Sequence, residues 1–124
     1  MKLVGAVVMV IDDDVDIATY LHEALTDAGA LVTKTHSGAE ALRLLDQKPQ
    51  WDLVVTDLLM ADMDGLEIIK ECRLRRPTLP ILAISGGGHG GGDLYLQTAR
   101  ALGAAATLSK PFDRALLLRA IEKI

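Results

Sequence analysis

Three aspartates that directly follow apolar segments are the residues of this sequence best suited to metal chemistry. Asp12 and Asp13 follow the apolar run 4–11, and Asp57 follows the run 53–56. If the two runs form neighbouring parallel strands, which lie about 4.8 Å apart, the three carboxylates come close to one another. Their mutual repulsion would raise at least one pKa unless a cation is bound. The cluster therefore predicts a site for a small, hard divalent cation.

The three carboxylates are predicted to divide between metal binding and nucleophilic attack. Magnesium prefers oxygen ligands and is commonly held by one or two carboxylates together with substrate phosphate. Asp12 and Asp13 would anchor Mg²⁺, or Mn²⁺ in its place, while Asp57 attacks phosphorus and forms an acyl phosphate. A single aspartate at a strand end more often caps the next helix, and Asp14 is interpreted in that way.

A serine and a lysine are predicted at the same edge of the sheet. Ser85 directly follows the apolar run 81–84, and Lys110 follows the run 105–108 with one residue between. A lysine suits phosphate because its compact charge can follow an oxygen as the group transfers. Either residue alone would be read as an ordinary turn or surface residue. Together with the three aspartates they predict a phosphate site.

Five alternating strand and helix segments account for the sequence. Short apolar runs, typical of strands buried on both faces, occur at 4–11, 30–33, 53–55, 81–84 and 105–108. Apolar residues three or four positions apart lie between them and predict helices. Gly29, Pro49, Pro77 and Gly103 are expected where the first four helices stop. The predicted fold is α/β, a flavodoxin-like, doubly wound, five-stranded parallel sheet in the order 2-1-3-4-5, with ligands at the carboxyl ends of strands 1 and 3.

The composition bounds the class of protein. A chain of 124 residues, 50% hydrophobic and 24% charged, predicts one domain over 1–124, with no output domain. A net charge of -4 and 3% aromatic residues argue against direct binding of nucleic acid. The run 4–11 is too short to span a membrane. The single cysteine, Cys72, cannot form an internal disulfide, which favours a cytoplasmic setting.

Four strings resemble the receiver domain of two-component response regulators along essentially the whole chain. They are VIDDD at 10–14, DLLMADMDG at 57–65, ISG at 84–86 and KPF at 110–112. The resemblance implies that a sensor histidine kinase supplies a phosphoryl group, from a phosphohistidine, to Asp57. It also implies Mg²⁺ ligands from Asp12, Asp13, Asp57 and the backbone carbonyl of Leu59. Ser85 and Lys110 would contact the phosphoryl oxygens, and the peptide bond from Lys110 to Pro111 would be cis.

Two positions depart from the family pattern. Ala61 stands where the family commonly has proline, which predicts a slightly looser loop without loss of a catalytic group. Thr107 stands where many receivers carry a tyrosine or phenylalanine that swings inward on activation. We therefore expect the coupling from Ser85 to helix 4 to be weaker or to follow another route.

A glycine-rich run supplies a rival interpretation. The segment 86–91 satisfies G-x-G-x-x-G between a strand and a helix, as a dinucleotide fingerprint does. It follows the fourth predicted strand rather than the first, and no acid is placed to hold a ribose. The preferred interpretation is a mobile loop over 85–93 that becomes ordered on phosphorylation, with His89 exposed in it.

The predicted function is that of a single-domain response regulator, monomeric or weakly dimeric, which catalyses only its own phosphorylation and dephosphorylation. It would bind a downstream protein through helix 4, strand 5 and helix 5, near Tyr95, Leu96 and Arg100. One alternative is a phosphorelay intermediate that passes phosphate to a histidine phosphotransfer protein; another is an unphosphorylated scaffold. Because Leu59 and Gly87 cannot orient an attacking water, the acyl phosphate is predicted to be comparatively long-lived.

Overall fold

The computed structural model describes residues 1–86 and 92–124, which contain five strands and five helices in alternation. The strands are β1 (Val7–Ile11), β2 (Leu31–Thr35), β3 (Leu53–Asp57), β4 (Ile81–Ser85) and β5 (Ala106–Ser109). The helices are α1 (Val15–Asp27), α2 (Gly38–Gln47), α3 (Gly65–Arg75), α4 (Gly92–Ala101) and α5 (Arg114–Glu122). All neighbouring strands are parallel, in the order β2-β1-β3-β4-β5. The predicted fold class and strand order are confirmed.

The core lies on both faces of the sheet, because successive side chains of a strand point to opposite sides. Val8 and Val10 of β1 pack in one hydrophobic cluster with α1 and α5. Met9 and Ile11 pack in a second cluster with α2, α3 and α4. Every residue of β3 and β4 is buried. The central strands therefore form a rigid support for the polar residues at their carboxyl ends.

All five strands differ by one to three residues from their predicted extent, and the differences are clearest in β1 and β2. Val4 is 83% exposed and Gly5 has a φ of 77°, so the chain turns before β1 begins at Val7. The predicted strand over 30–33 begins instead at Leu31 and continues to Thr35. It is not buried on both faces, since β2 lies at the edge of the sheet and Leu31 is 63% exposed.

The helix ends follow the predicted signals. Asp14 caps α1, since its Oδ1 accepts hydrogen bonds from the backbone N–H groups of Asp16 and Ile17. Gly29 and Gly103 follow α1 and α4 with φ of 101° and 116°, a conformation that favours glycine. Gly29 and Gly103 thus lie in the short connections that lead from a helix to the amino-terminal end of the next strand.

Two interpretations of the glycine-rich run, the dinucleotide fingerprint over 86–91 and the mobile loop over 85–93, lie partly outside the described residues. Residues 87–91, which include His89 and most of the proposed loop, are not among the described residues.

Within the described ranges, no helix has both the length and the apolar character needed to cross a membrane.

Candidate functional site

The sheet brings the three aspartates of the predicted cluster together. Asp12 follows β1 and Asp57 is the last residue of β3, and the two strands are paired with Ile11 opposite Thr56. One carboxylate oxygen from each of Asp12, Asp13 and Asp57 lies within 4.8 Å of the others. The topological argument for their proximity is therefore confirmed.

Asp12 is fully buried, and its two carboxylate oxygens have different surroundings. Oδ1 accepts a hydrogen bond from the backbone N–H of Asp14 at 2.9 Å. Oδ2 is buried without a hydrogen-bond partner among the described residues. Burial, and secondarily the charge of Asp57, raises the pKa of Asp12 from 3.8 to about 6. A buried anionic oxygen without a partner is costly, so this atom requires a proton or a cation.

Asp57 is held between burial and a neighbouring ammonium group. It is 5% exposed, and burial raises its pKa above the ordinary value. Lys110 opposes that change, since its Nζ lies 3.3 Å from Oδ1 of Asp57. The ammonium group thus favours the ionised, nucleophilic form of this buried carboxyl.

The predicted repulsion among the aspartates is present, but burial has the larger effect on the pKa values. Mutual repulsion among the aspartates does raise the pKa of Asp12, but burial is the largest cause for both Asp12 and Asp57. Burial dominates because both residues sit at the ends of central strands that helices cover on two sides.

Asp13 is exposed, whereas Asp12 and Asp57 are buried. Its Oδ2 accepts a hydrogen bond from the backbone N–H of Ala61, at 2.9 Å. This bond joins the loop after β1 to the loop after β3, which also contains Leu59. The side chain of Leu59 is 55% exposed and lies two residues beyond Asp57.

Ser85 and Lys110 are placed side by side by the pairing of β4 with β5. Ser85 is 1% exposed and is the last residue of β4. Its carbonyl accepts a hydrogen bond from the backbone N–H of Lys110 at 2.8 Å. The peptide bond between Lys110 and Pro111 is cis, as the resemblance implied. Both residues thus reach the edge of the sheet that holds Asp57.

The turn into α3 fits closely against Asp57. Asp64 caps α3 through a hydrogen bond from the backbone N–H of Leu66 to Oδ1, at 2.8 Å. A Cβ added at Gly65 would lie 2.6 Å from the carbonyl oxygen of Asp57, so only glycine fits there. The missing side chain lets the start of α3 approach the end of β3 closely.

Besides the hydrogen bond between Ala61 and Asp13, two more contacts around the site were not predicted from the sequence. Asp62 accepts hydrogen bonds from the backbone N–H groups of Gly38 and Ala39 at the start of α2, at 3.1 and 3.2 Å. Tyr95 of α4 donates its hydroxyl to Oδ2 of Asp64 at 3.2 Å. The acids at 62 and 64 were part of the recognised string, but nothing in the string identified their distant partners.

The donor set fits a magnesium ion. Asp12, Asp13 and Asp57 offer hard carboxylate oxygens, which Mg²⁺ prefers. The partnerless Oδ2 of Asp12 supplies a structural reason for a cation, because a metal would satisfy an oxygen that the described part of the chain leaves unbonded.

Comparisons with known proteins identify the family. The sequence model of the family described as "Response regulator receiver domain" matches residues 8–122. The DNA-binding transcriptional regulator NtrC of Escherichia coli (strain K12) is 38% identical over 107 residues, which are 86% of this chain and 22% of NtrC. The chain thus spans about a fifth of the length of that relative.

Solved structures agree with this assignment. The chemotaxis protein CheY4 of Vibrio cholerae has a TM-score of 0.85 and 29% identity, over 97% of this chain and 98% of CheY4. A chain of the CheX-CheY-BeF3-Mg+2 complex from Borrelia burgdorferi has a TM-score of 0.86 and 25% identity, over 95% of this chain and 87% of that one. The protein therefore belongs to the family of response regulator receiver domains of two-component signal transduction.

Proposed function

We propose that this receiver domain takes a phosphoryl group from a sensor histidine kinase onto Asp57, in a Mg²⁺-dependent reaction. One observation carries the proposal: the buried carboxylate of Asp57 lies 3.3 Å from the ammonium group of Lys110 and close to carboxylate oxygens of Asp12 and Asp13. The side chains proposed as nucleophile, phosphate ligand and metal ligands thus lie together at one edge of the sheet.

In the proposed transfer step, the carboxylate of Asp57 is the nucleophile and the phosphohistidine of the kinase is the donor. An oxygen of Asp57 forms a bond to phosphorus as the bond from phosphorus to the phosphohistidine nitrogen breaks, and the electron pair of that bond returns to the imidazole. Asp12, Asp13, Asp57 and the carbonyl of Leu59 would hold Mg²⁺. When bound, the metal supplies positive charge that offsets the phosphoryl oxygens. The Borrelia complex, which contains BeF3 and Mg+2, supports this assignment by analogy.

Lys110 and Ser85 are proposed to bind the transferred group. Lys110 lowers the pKa of Asp57 and so favours its ionised form before transfer, and its ammonium group can follow a phosphoryl oxygen afterwards. Ser85 would offer its hydroxyl from the end of the adjacent strand. The hydrogen bond from Lys110 N–H to the Ser85 carbonyl supports a joint role, because it fixes the two residues relative to each other.

The donor is proposed to approach between α1 and the segment after β5. A mainly apolar groove of about 400 Å³ lies there, lined by Asp16, Ile17, Tyr20, Lys110, Pro111 and Phe112. The ring centroids of Tyr20 and Phe112, two of the lining residues, are 6.1 Å apart. Because Lys110 belongs to both the groove and the site, a helix that carries a phosphohistidine could lie in the groove and reach Asp57.

Output is proposed through the face formed by α4, β5 and α5. Arg100 donates from Nε and Nη2 to the hydroxyl oxygen of Thr107, at 3.2 and 2.9 Å, and so ties α4 to the edge strand β5. A groove of about 300 Å³ lies beside this link, with Leu116 and Arg119 among its lining residues. Leu96 packs instead in the core cluster of α2, α3 and α4. Of the three residues predicted near this face, Arg100 contacts β5 directly.

The chain is proposed to catalyse no reaction other than its own phosphorylation and dephosphorylation. The cytoplasm is its proposed location. Leu59 has an apolar side chain and stands where an independent phosphatase would need an acid as proton donor. Cys72 is a buried free thiol, which suits a reducing compartment.

A direct phosphorylation experiment tests the proposal. The protein is incubated with Mg²⁺ and acetyl phosphate, and intact mass is measured for the native protein, Asp57→Asn and the exposed-site control Asp27→Asn. We expect one phosphoryl group on the native protein and on Asp27→Asn, and none on Asp57→Asn. A group that persists on Asp57→Asn refutes the assignment. Transfer onward to a histidine phosphotransfer protein would extend the function to a phosphorelay.

A further inference from the structure

Each of the three clustered carboxylates has one oxygen held by a hydrogen-bond donor. Asp12 Oδ1 accepts from the N–H of Asp14, and Asp57 Oδ1 accepts from Lys110. Asp13 Oδ2 accepts from the N–H of Ala61, at 2.9 Å. The first donor is local and the second belongs to the proposed phosphate site. The third comes from a residue 48 positions along the chain, whose side chain has no part in the chemistry.

The Ala61 donor acts on the least constrained member of the cluster. Asp12 and Asp57 are buried, so packing limits their side-chain rotamers. Asp13 is exposed, and an exposed carboxylate without a fixed donor samples several orientations in water. The hydrogen bond from Ala61 is therefore the observed contact that fixes how Asp13 faces the other two carboxylates.

The loop that carries the Ala61 N–H is also held in place at the next residue. The next residue, Asp62, accepts the N–H groups of both Gly38 and Ala39, and so fastens the β3–α3 loop to the start of α2. The loop is thus tied to α2 at Asp62 and to the β1–α1 loop at Ala61. A proline at position 61, as the family commonly has, would lack the N–H and could not make the second tie.

We infer that the backbone N–H of Ala61 is a positioning group for the metal site. It holds one oxygen of Asp13, which leaves the other for the cation, and it steadies the loop from which the Leu59 carbonyl would come. The inference rests on the proposed Mg²⁺ site. Hydrogen bonds that orient metal ligands typically change metal affinity by about 10- to 100-fold.

Mg²⁺ binding is measured by titration calorimetry without a phosphodonor, so the result does not depend on phosphorylation. Ala61→Pro removes the donor, and Ala61→Ser keeps it at the same exposed position. We expect Ala61→Ser to bind like the native protein and Ala61→Pro to bind about tenfold more weakly. Because proline also restricts the backbone, a third protein carries L-lactic acid at position 61. It replaces only the N–H by an ester oxygen, and we expect the same loss.

Two further measurements separate positioning from a general loss of structure. Thermal unfolding in EDTA should be nearly the same for the serine and ester proteins. Ca²⁺ tolerates more flexible ligand geometry than Mg²⁺, so the ester should weaken Ca²⁺ binding less than Mg²⁺ binding. Native-like or tighter Mg²⁺ binding by the ester protein would overturn the inference while leaving the metal site intact. Failure of the native protein to bind Mg²⁺ would overturn both the proposed metal site and the positioning role of Ala61.

Discussion

Replacing Asp12 by asparagine should stabilise the metal-free protein while removing its response to magnesium. The carboxylate is fully buried, and its Oδ2 has no hydrogen-bond partner among the described residues. Its pKa is raised from 3.8 to about 6, chiefly by burial. A shift of that size corresponds to about 3 kcal/mol of unfolding free energy lost when the group ionises, at about 1.4 kcal/mol per pKa unit. Asparagine keeps an oxygen for the N–H of Asp14 but carries no charge.

The pH dependence of this effect has a definite sign. The folded protein holds the Asp12 proton more tightly than the unfolded chain does, because the folded pKa is the higher one. The native protein should therefore lose stability as pH rises from about 4 to about 6, and should not regain it above that window. Asp12→Asn lacks this loss. Its advantage should be near zero at pH 4 and largest at pH 7, where it corresponds to a melting temperature higher by on the order of 10 °C.

Urea unfolding at pH 4 to 8, in EDTA and then in Mg²⁺, measures these quantities. Trp51 is the only tryptophan and is 8% exposed, so its fluorescence reports loss of the core. Mg²⁺ should stabilise the native protein by mass action and leave Asp12→Asn unchanged. Asp13→Asn is the control within the cluster, and its stability should also no longer respond to Mg²⁺. In EDTA its gain in unfolding free energy should be smaller than that of Asp12→Asn, because Asp13 is exposed. An Asp12→Asn protein equally destabilised at pH 4 and pH 7 would refute the reasoning.

Three further substitutions test separate parts of the site. Gly65→Ala should cost about 1–3 kcal/mol of stability, because its Cβ would lie 2.6 Å from the carbonyl oxygen of Asp57. Gly86→Ala is the control, because no atom of the described residues lies within 4 Å of the added Cβ. Equal losses of stability in urea unfolding would contradict the packing argument. Lys110→Met should raise the pKa of Asp57 further and move the acid limb of the phosphorylation-rate profile to higher pH, and an unmoved limb would exclude that ion-pair role. Leu59→Asn should shorten the lifetime of the phosphorylated protein, followed by intact mass in Mg²⁺, because an amide can orient water; a native lifetime of only seconds would disprove the predicted longevity.

Sequence patterns predicted the features that depend on chain order and missed those that depend on distant contacts. Alternating apolar runs and helical segments determine a parallel sheet, and the sheet order then places Asp12 beside Asp57. The tie between Ala61 and Asp13 was not predictable in this way, because a backbone N–H has no residue signature. The dominance of burial in the pKa shifts was also missed, since it depends on how helices cover the strand ends.

The hydrogen bond between Tyr95 and Asp64 bears on how a signal could leave the site without an aromatic residue on β5. Asp64 caps α3 at the end of the loop that begins at Asp57, and Tyr95 belongs to α4. The bond thus connects the loop to α4, so that a movement of the loop would be transmitted to α4. Because it is exposed to water, it competes with solvation and exchanges readily. We therefore expect α4 to respond to a movement of this loop in a graded manner, and not by switching between two fixed positions.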